Sequence, residues 1–572
     1  METSLIRTLV LVGVLGIVAF LSLGPSVAHA EASGHHVKVK LDSSVADSAI
    51  TGRVFLLIND APEPSPREVA SMIFAAVAEN PRWGTYAPIF GQDVRNWHPG
   101  TSIKLSEDLI DGYPFESLSD LPPGDYWVQA VLNVYTEFRR SDGHTIWAAM
   151  DHWDGQQFHI SPGNLYSEVQ KISSSDADEI SIDLTLSEKI PPIKLPTDTR
   201  YTKRLKFRSE LASEFWGQDM YVGATIQLPK TYYDDPERRY PVHYAQGHFQ
   251  EKDRFVVPDE RPVVDDGDIT MESYMLRAQQ QNFDDWHDEN APQIIAVTFQ
   301  HPVPYYDDSY LVNSANIGPY GDVLMQELLP AIESSFRTIG EPWGRVLSGG
   351  STGGWIAAAL QLYHPKTFGG AWSFCPDPVD FRYFMQIDLY EDDNAFLVPG
   401  QKWVETEQIQ SRSVEGEPMN TVRRVAQLNQ ALGSKGRSAE VNDMWSAIYG
   451  PVGDDGYPVL IWDNETGVIN REVAHYWRDN GFDLRHYAEE NWSEIGPDLV
   501  GKLHFACGDM DQFYLNLAMY EMEEFLEERS DPAYGGTFKF YRPKVGHSLA
   551  GYDSMTELHV DMLKHIENNG PQ

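Results

Sequence analysis

Cysteine is scarce in this chain, with two residues, Cys375 and Cys507, among 572. That number excludes a disulfide framework as the source of stability. Positive charge is also short: 44 Lys+Arg stand against 85 Asp+Glu, a formal net charge of -41. A surface this acidic repels phosphates and anionic bilayers, so neither nucleic acid nor stable membrane insertion is expected. A solvated surface suited to a salty medium accounts for the acidity, with scattered cation sites as the alternative. There is no D-x-D-x-D-G loop, no G-x-x-x-x-G-K, no dinucleotide fingerprint, no HExxH and no Cys/His zinc spacing. No cofactor and no metal are therefore expected. Beyond the N-terminus no apolar run is long enough to span a bilayer. A hydrophobic fraction of 42% with 12% aromatics excludes a disordered chain.

What is present begins with Arg7, an apolar run from Leu9 to Leu23, Pro25, and the triplet Ala28, His29, Ala30. This reads as a secretory signal (residues 1–30) cleaved after Ala30, with an uncleaved anchor as the alternative, and predicts a secreted or periplasmic protein. The mature chain then starts at Glu31. The two cysteines are expected as buried thiols, a single bridge being the other possibility. At this length two or more domains are expected.

Residues 36–188 carry short alternating runs separated by turn chemistry: Val54 to Ile58, then Tyr126 to Tyr135 after Pro122-Pro123-Gly124-Asp125, then Ser181 to Leu186. These predict a β-sandwich of immunoglobulin or transthyretin type. The aromatic segment Trp147 to Phe158 is either a sugar platform or packing against the neighbouring domain. Residues 189–203, with KIPPIKLP, read as an extended linker. From 204 to 570 strands alternate with helices, which predicts an α/β domain on a mostly parallel sheet with covered faces. Its predicted strands include Met220 to Pro229, Tyr240 to Phe249 and Ile294 to Phe299. An amphipathic helix over Tyr320 to Arg337 follows, despite Pro330. From about 399 to 496 the periodicity weakens, as expected of an insertion over the carboxyl ends of the strands.

The stretch GRVLSGGSTGGW, Gly344 to Trp355, contains G-x-S-x-G at Gly349, Ser351 and Gly353. A serine in a sharp strand-to-helix turn has strained backbone angles, so positions two before and two after it must lack side chains. The preceding apolar run and the alanine-rich helix that follows, Trp355 to Tyr363, supply that context. A serine nucleophile needs a base to take its proton and a carboxylate to orient the base. Downstream, Asp511 and Asp509 follow the strand Leu503 to Ala506, and His547 follows the last strand in a glycine-flanked loop. The reading assigns Ser351 as nucleophile, His547 as base and Asp511 as acid, with Asp509 the fallback. For the oxyanion hole it assigns the backbone N–H groups of Thr352 and His248, the latter after the strand ending at Gly247. His243 and His364 read as structural.

These residues resemble the "putative esterase" family of α/β-hydrolases, which includes enterochelin esterase, feruloyl esterase domains and the antigen 85 mycolyltransferases. The resemblance covers roughly Arg204 to Ile566. It is carried by YPVHYAQGHF, GPYGDVLMQELLPAIESSFR, VLSGGSTGGW with HPKTFGG, and CGDMDQFYLN with a late GH. It implies an α/β-hydrolase fold in which Ser351, Asp511 and His547 match the triad and the His248 and Thr352 amides the oxyanion hole. Departures are Gln246-Gly247 where the family has HG, and the long insertion. The expected function is a serine esterase acting on a small-molecule or polysaccharide-linked carboxylic ester through an acyl-enzyme; feruloyl, acetyl-sugar and siderophore esters are what the family implies. An acyltransferase of the same fold, or a carbohydrate- or ligand-binding protein that kept the fold without chemistry, are the alternatives. Oligomeric state is not read from the sequence.

Overall fold

The computed structural model describes residues 36–69, 87–105, 110–175, 180–247, 257–258, 260–264, 271–401, 403–547, 551–552 and 554–571. The leader at 1–30 and His248 lie outside them.

The first ten strands form one continuous sheet. The sequence reading expects a β-sandwich here; in the structure hydrogen bonds join all ten strands. The physical reason is the strand Gly124–Arg139, 16 residues long. One edge of it pairs with Ile50–Asn59, while the other takes Gln170–Ser174, Leu165–Ser167 and Thr145–Ala149 in turn. A strand that long bridges what would otherwise be separate sheets. Toward the sheet's far end lies the parallel pair His36–Leu41 and Ser181–Lys189, with Ser102–Leu105 antiparallel at the edge. Val37, Val39, Ile182 and Leu184 share one buried cluster with Val54, Leu56, Val128 and Ala130, so the sheet curls over itself onto a single core.

The second sheet has eight strands, labelled here β1 (Thr202–Ser209), β2 (Met220–Gln227), β3 (Val242–Gln246), β4 (Ile295–Gln300), β5 (Arg345–Gly350), β6 (Gly370–Phe374), β7 (Leu503–Gly508) and β8 (Thr537–Tyr541). Their order is β1-β2-β4-β3-β5-β6-β7-β8. The β1/β2 and β2/β4 pairs are antiparallel; the remaining five are parallel. The central strands are buried on both faces and largely apolar, as covered parallel strands are: every residue of β3 and of β6 is buried. The parallel run matters for function, because it delivers the carboxyl ends of β3, β5, β6, β7 and β8 to one edge.

Two helical features follow from particular residues. Ala357, Ala358 and Ala359 are fully buried in the helix Thr352–Tyr363, where short side chains let it lie close to the sheet. The predicted helix across Pro330 forms in three pieces, with a π-turn at Leu324–Leu328 between Tyr320–Val323 and Leu329–Ser335. Pro330 has no N–H for an i→i−4 bond, and the wider turn before it absorbs that loss.

The insertion folds as the hairpin Ile409–Arg412/Pro418–Thr421 and the helices Val422–Leu432, Val441–Tyr449, Arg471–Asp479 and Leu484–Leu499. Its helix Val422–Leu432 packs Leu428, Ala431 and Leu432 against Phe55, Leu57, Ile89 and Val131 of the first sheet. At that seam Arg53, 1% exposed, donates to Ala431 O (3.0 Å), Gln430 O (2.7 Å), Asp93 (2.8 Å) and Asp111 (2.7 Å). Among the described residues no helix is long and apolar enough to cross a membrane.

Candidate active site

β5 ends at Gly350, and Ser351 turns the chain directly into the helix Thr352–Tyr363 with φ 58° and ψ −124°. Such angles are costly for a residue with a side chain and persist only where the surroundings hold them. Three bonds do so here. Ser351 N–H donates to Phe374 O (2.9 Å), and Ser351 O accepts from Trp355 N–H and Asp377 N–H (both 3.1 Å). The flanking glycines are obligatory on steric grounds. A Cβ on Gly349 would stand 2.2 Å from Gly353 O, and one on Gly353 would stand 2.3 Å from Gln246 O. The turn thus presses the head of the helix against the end of β3.

At the next strand ends, Asp511 is fully buried and its Oδ2 lies 2.7 Å from His547 Nδ1. Its Oδ1 accepts from Phe513 N–H (2.9 Å) and Leu515 N–H (3.2 Å), so the carboxylate is fixed by its own loop. Burial disfavours the Asp511 charge, but the His547 hydrogen bond and charge outweigh it and hold this carboxyl below its ordinary value. Burial likewise opposes a charged His547; the bond to Asp511 and the neighbouring Cys375 prevail and raise it to about 10. His547 N–H donates to Gln512 Oε1, and Phe513 meets the imidazole edge-on at 5.3 Å.

Asp509, the other carboxylate weighed from the sequence, does different work. Its Oδ1 accepts from Val545 N–H (3.1 Å), which ties down the loop leading to His547. Arg412 of the insertion hairpin donates to Asp511 O (3.1 Å) and lies 4.2 Å over the Tyr514 ring, clasping the same loop from outside.

The structure brings Asp511 and His547 together. The Ser351 hydroxyl instead donates to Asp377 Oδ1 at 3.4 Å, and among the described residues no hydrogen bond joins it to His547. Thr352 sits at the first turn of the elbow helix with its hydroxyl on Asp377 Oδ2 (3.1 Å). His248, the other assigned oxyanion donor, lies outside the described residues; β3 leads to it through Gly247 at φ 155°. His243 is buried between Ser348 Oγ (2.7 Å) and His559 (2.9 Å), a structural arrangement.

Sequence reasoning missed Asp377, which follows β6 and is 3% exposed. Besides Ser351 and Thr352, Tyr310 OH and Trp445 Nε1 (3.2 Å) donate to it. Trp445 comes from the insertion helix Val441–Tyr449, so the insertion reaches Ser351 through this carboxylate. The only local signal was a carboxylate just past a strand end, on the sheet edge that also carries Ser351. Cys375 and Cys507 are both buried and unbridged. A cleft of about 490 Å³ lined by Phe215, Asn313, Tyr476 and Phe482 shares no residue with this site, and the chemistry, not the volume, locates it.

Comparison with known proteins bears on the same region. Residues 213–447 match the family model described as "Putative esterase", a segment that holds Ser351 and ends before Asp511 and His547. No curated protein sequence matches the chain. Similar solved structures include a ferulic acid esterase, with 14% identity over 64% of this chain and 98% of that one and a TM-score of 0.33. An S-formylglutathione hydrolase from Agrobacterium tumefaciens shows 12% identity over 65% and 98%, TM-score 0.32. The feruloyl esterase module from Clostridium thermocellum shows 14% over 65% and 90%, TM-score 0.29. Residues 213–447 of this chain are thus similar to the family described as "Putative esterase", a match that covers less than half of its length.

Proposed function

We propose that the protein is an exported serine hydrolase that cleaves a carboxylic ester through an acyl-enzyme. One observation carries the reading: a serine held at strained angles on the catalytic edge of the sheet, with a buried aspartate–histidine pair at the ends of strands on that edge. Ser351 Oγ attacks the ester carbonyl while neutral His547 takes its proton. The resulting imidazolium, held by Asp511, gives that proton to the departing alcohol oxygen. Water then enters, His547 removes its proton, and the acid leaves with Oγ restored to the hydroxyl. The N–H groups of Thr352 and His248 are the donors for the negative oxygen of each tetrahedral intermediate, at about 3 kcal/mol apiece. Rotation of the Ser351 hydroxyl from Asp377 toward His547 precedes attack.

The mature protein should take up a fluorophosphonate label at Ser351, and Ser351→Ala should lose both the label and the hydrolysis of short p-nitrophenyl esters. Hydrolysis at the original rate in that variant would overturn the assignment. Feruloyl, acetyl-sugar and siderophore esters, tested side by side, then define the acyl group accepted.

A further inference from the structure

Cys375, Asp511 and His547 come from three different strand ends, and each offers one donor atom, all within 4.8 Å of one another. The cysteine is the first residue past β6 and is 1% exposed; its N–H donates to Ala506 O (2.8 Å), which fixes its position beside β7. The catalytic reading uses two of these groups and has no role for the thiol. A thiolate, an imidazole and a carboxylate are together the donor set of zinc-class ions, whereas magnesium and calcium take oxygen alone.

We propose that Cys375, Asp511 and His547 form a regulatory site for a zinc-class divalent ion, and that binding there switches the hydrolase off. A tetrahedral ion with bonds of about 2.0–2.3 Å holds its donors about 3.3–3.7 Å apart, so the widest separation in the cluster, at most 4.8 Å, closes by roughly 1 Å, while an ion on Nδ1 also opens the 2.7 Å contact between Asp511 and His547. His547 has room to make that adjustment, since its side chain is 23% exposed and it stands on the loop after Gly546. Three protein ligands leave a fourth position for water from the solvent side. On binding, the Cys375 thiol releases its proton to solvent and the sulfur electron pair goes to the metal. The hydrogen bond from Cys507 and, against burial, the nearby imidazole already shift this thiol toward its thiolate, to about 6, which lowers the proton competition.

Inhibition follows whichever ring nitrogen binds. An ion on Nε2 occupies the lone pair that must take the Ser351 proton. An ion on Nδ1 forces the ring proton onto Nε2 and breaks the bond to Asp511, with the same result. The inhibition rests on the catalytic reading of His547 given above; the binding does not.

The test uses the full chain and two metals. Zinc chloride, titrated into the p-nitrophenyl ester assay, should suppress hydrolysis in the micromolar range, and EDTA should restore it. Cys375→Ser, and Cys375→Ala as a second variant of matched melting temperature, should each need about tenfold more zinc for half-inhibition relative to their own metal-free rates. Cobalt(II) added to Ser351→Ala, which need not turn over, should give a near-ultraviolet thiolate-to-cobalt band that disappears when Cys375→Ser is added. Equal zinc sensitivity with and without Cys375 overturns the site. So does bound cobalt without that band, or a band that vanishes with Cys507→Ser and survives Cys375→Ser. A Cys375-dependent band in a protein that hydrolyses no ester would uphold the site and overturn the catalytic reading instead.

Discussion

Arg53→Met should destabilise the protein by about 3 kcal/mol, because it removes a buried cation while leaving its partners in place. The side chain is 1% exposed and satisfies two carboxylates, Asp93 and Asp111, and the carbonyls of Gln430 and Ala431. Those carbonyls close the C-terminal end of the helix Val422–Leu432, where backbone acceptors have no intrahelical donor. Each buried acceptor left without a donor costs about 1–3 kcal/mol, while methionine keeps much of the packing volume. Arg437 also holds Asp93, which keeps the loss below the full sum. Burial raises the Asp93 value, but Arg437 and Arg53 outweigh it and hold the carboxyl below its ordinary 3.8. Its ion pairing therefore contributes stability above the unfolded value and loses it as pH falls through the folded one. Urea melts of both proteins at pH 7, and again at successively lower pH, measure the effect. The gap should be widest at neutral pH and narrow below about pH 4. A difference under about 1 kcal/mol at neutral pH, or a gap that widens in acid, refutes this account of the seam.

Other consequences are open to direct measurement. Gly353→Ala places a Cβ 2.3 Å from Gln246 O, so the elbow helix or the end of β3 must shift; activity should fall by about a hundredfold, read as kcat/KM. Full activity there would show that the close approach is unnecessary. Arg412→Ala frees the loop bearing Asp511 and should lower kcat more than it raises KM, and Arg412→Lys should not restore it because a lysine lacks the flat guanidinium that lies on Tyr514. With His547 raised to about 10, its free base accumulates as pH rises, so kcat/KM measured in EDTA should keep climbing from neutral pH toward 10, and a plateau at neutral pH contradicts it. The stability linked to the same pair has the opposite sense: it is complete below the unfolded histidine value near 6.5 and is lost as pH passes about 10.

The elbow was legible in the sequence because its constraint is local. Gly349 and Gly353 are fixed by clashes with backbone a few residues away or across one strand, and such constraints leave a short motif. The central strands of the second sheet were legible for a related reason, since strands buried on both faces are largely apolar, whereas β1, polar and half-exposed, was not predicted as a strand and begins in what reads as linker. Sequence reasoning could not choose between Asp509 and Asp511 with equal clarity. Both follow β7, and only the turn of the loop sends one carboxylate to His547 and the other to Val545 N–H. Asp377 was invisible because its partners Tyr310 and Trp445 are 67 and 68 residues away in the chain. The curl of the first sheet was hidden in the same way. Alternation reports which face of a strand is buried, but the pairing of one long strand with several partners depends on contacts that alternation does not encode.

The guanidinium of Arg53 ends on the carbonyls of an insertion helix, and the first strand of the hairpin before that helix ends in Arg412, whose own guanidinium ends on the loop of Asp511. The strands up to Lys189 are accordingly not an exchangeable module. Replacing them with another sheet would leave Ser351, Asp511 and His547 untouched in sequence and should still disturb the loop that holds Asp511 against His547. Changes in the first sheet at this seam are therefore expected to couple energetically to the insertion, although the two segments lie more than two hundred residues apart in sequence.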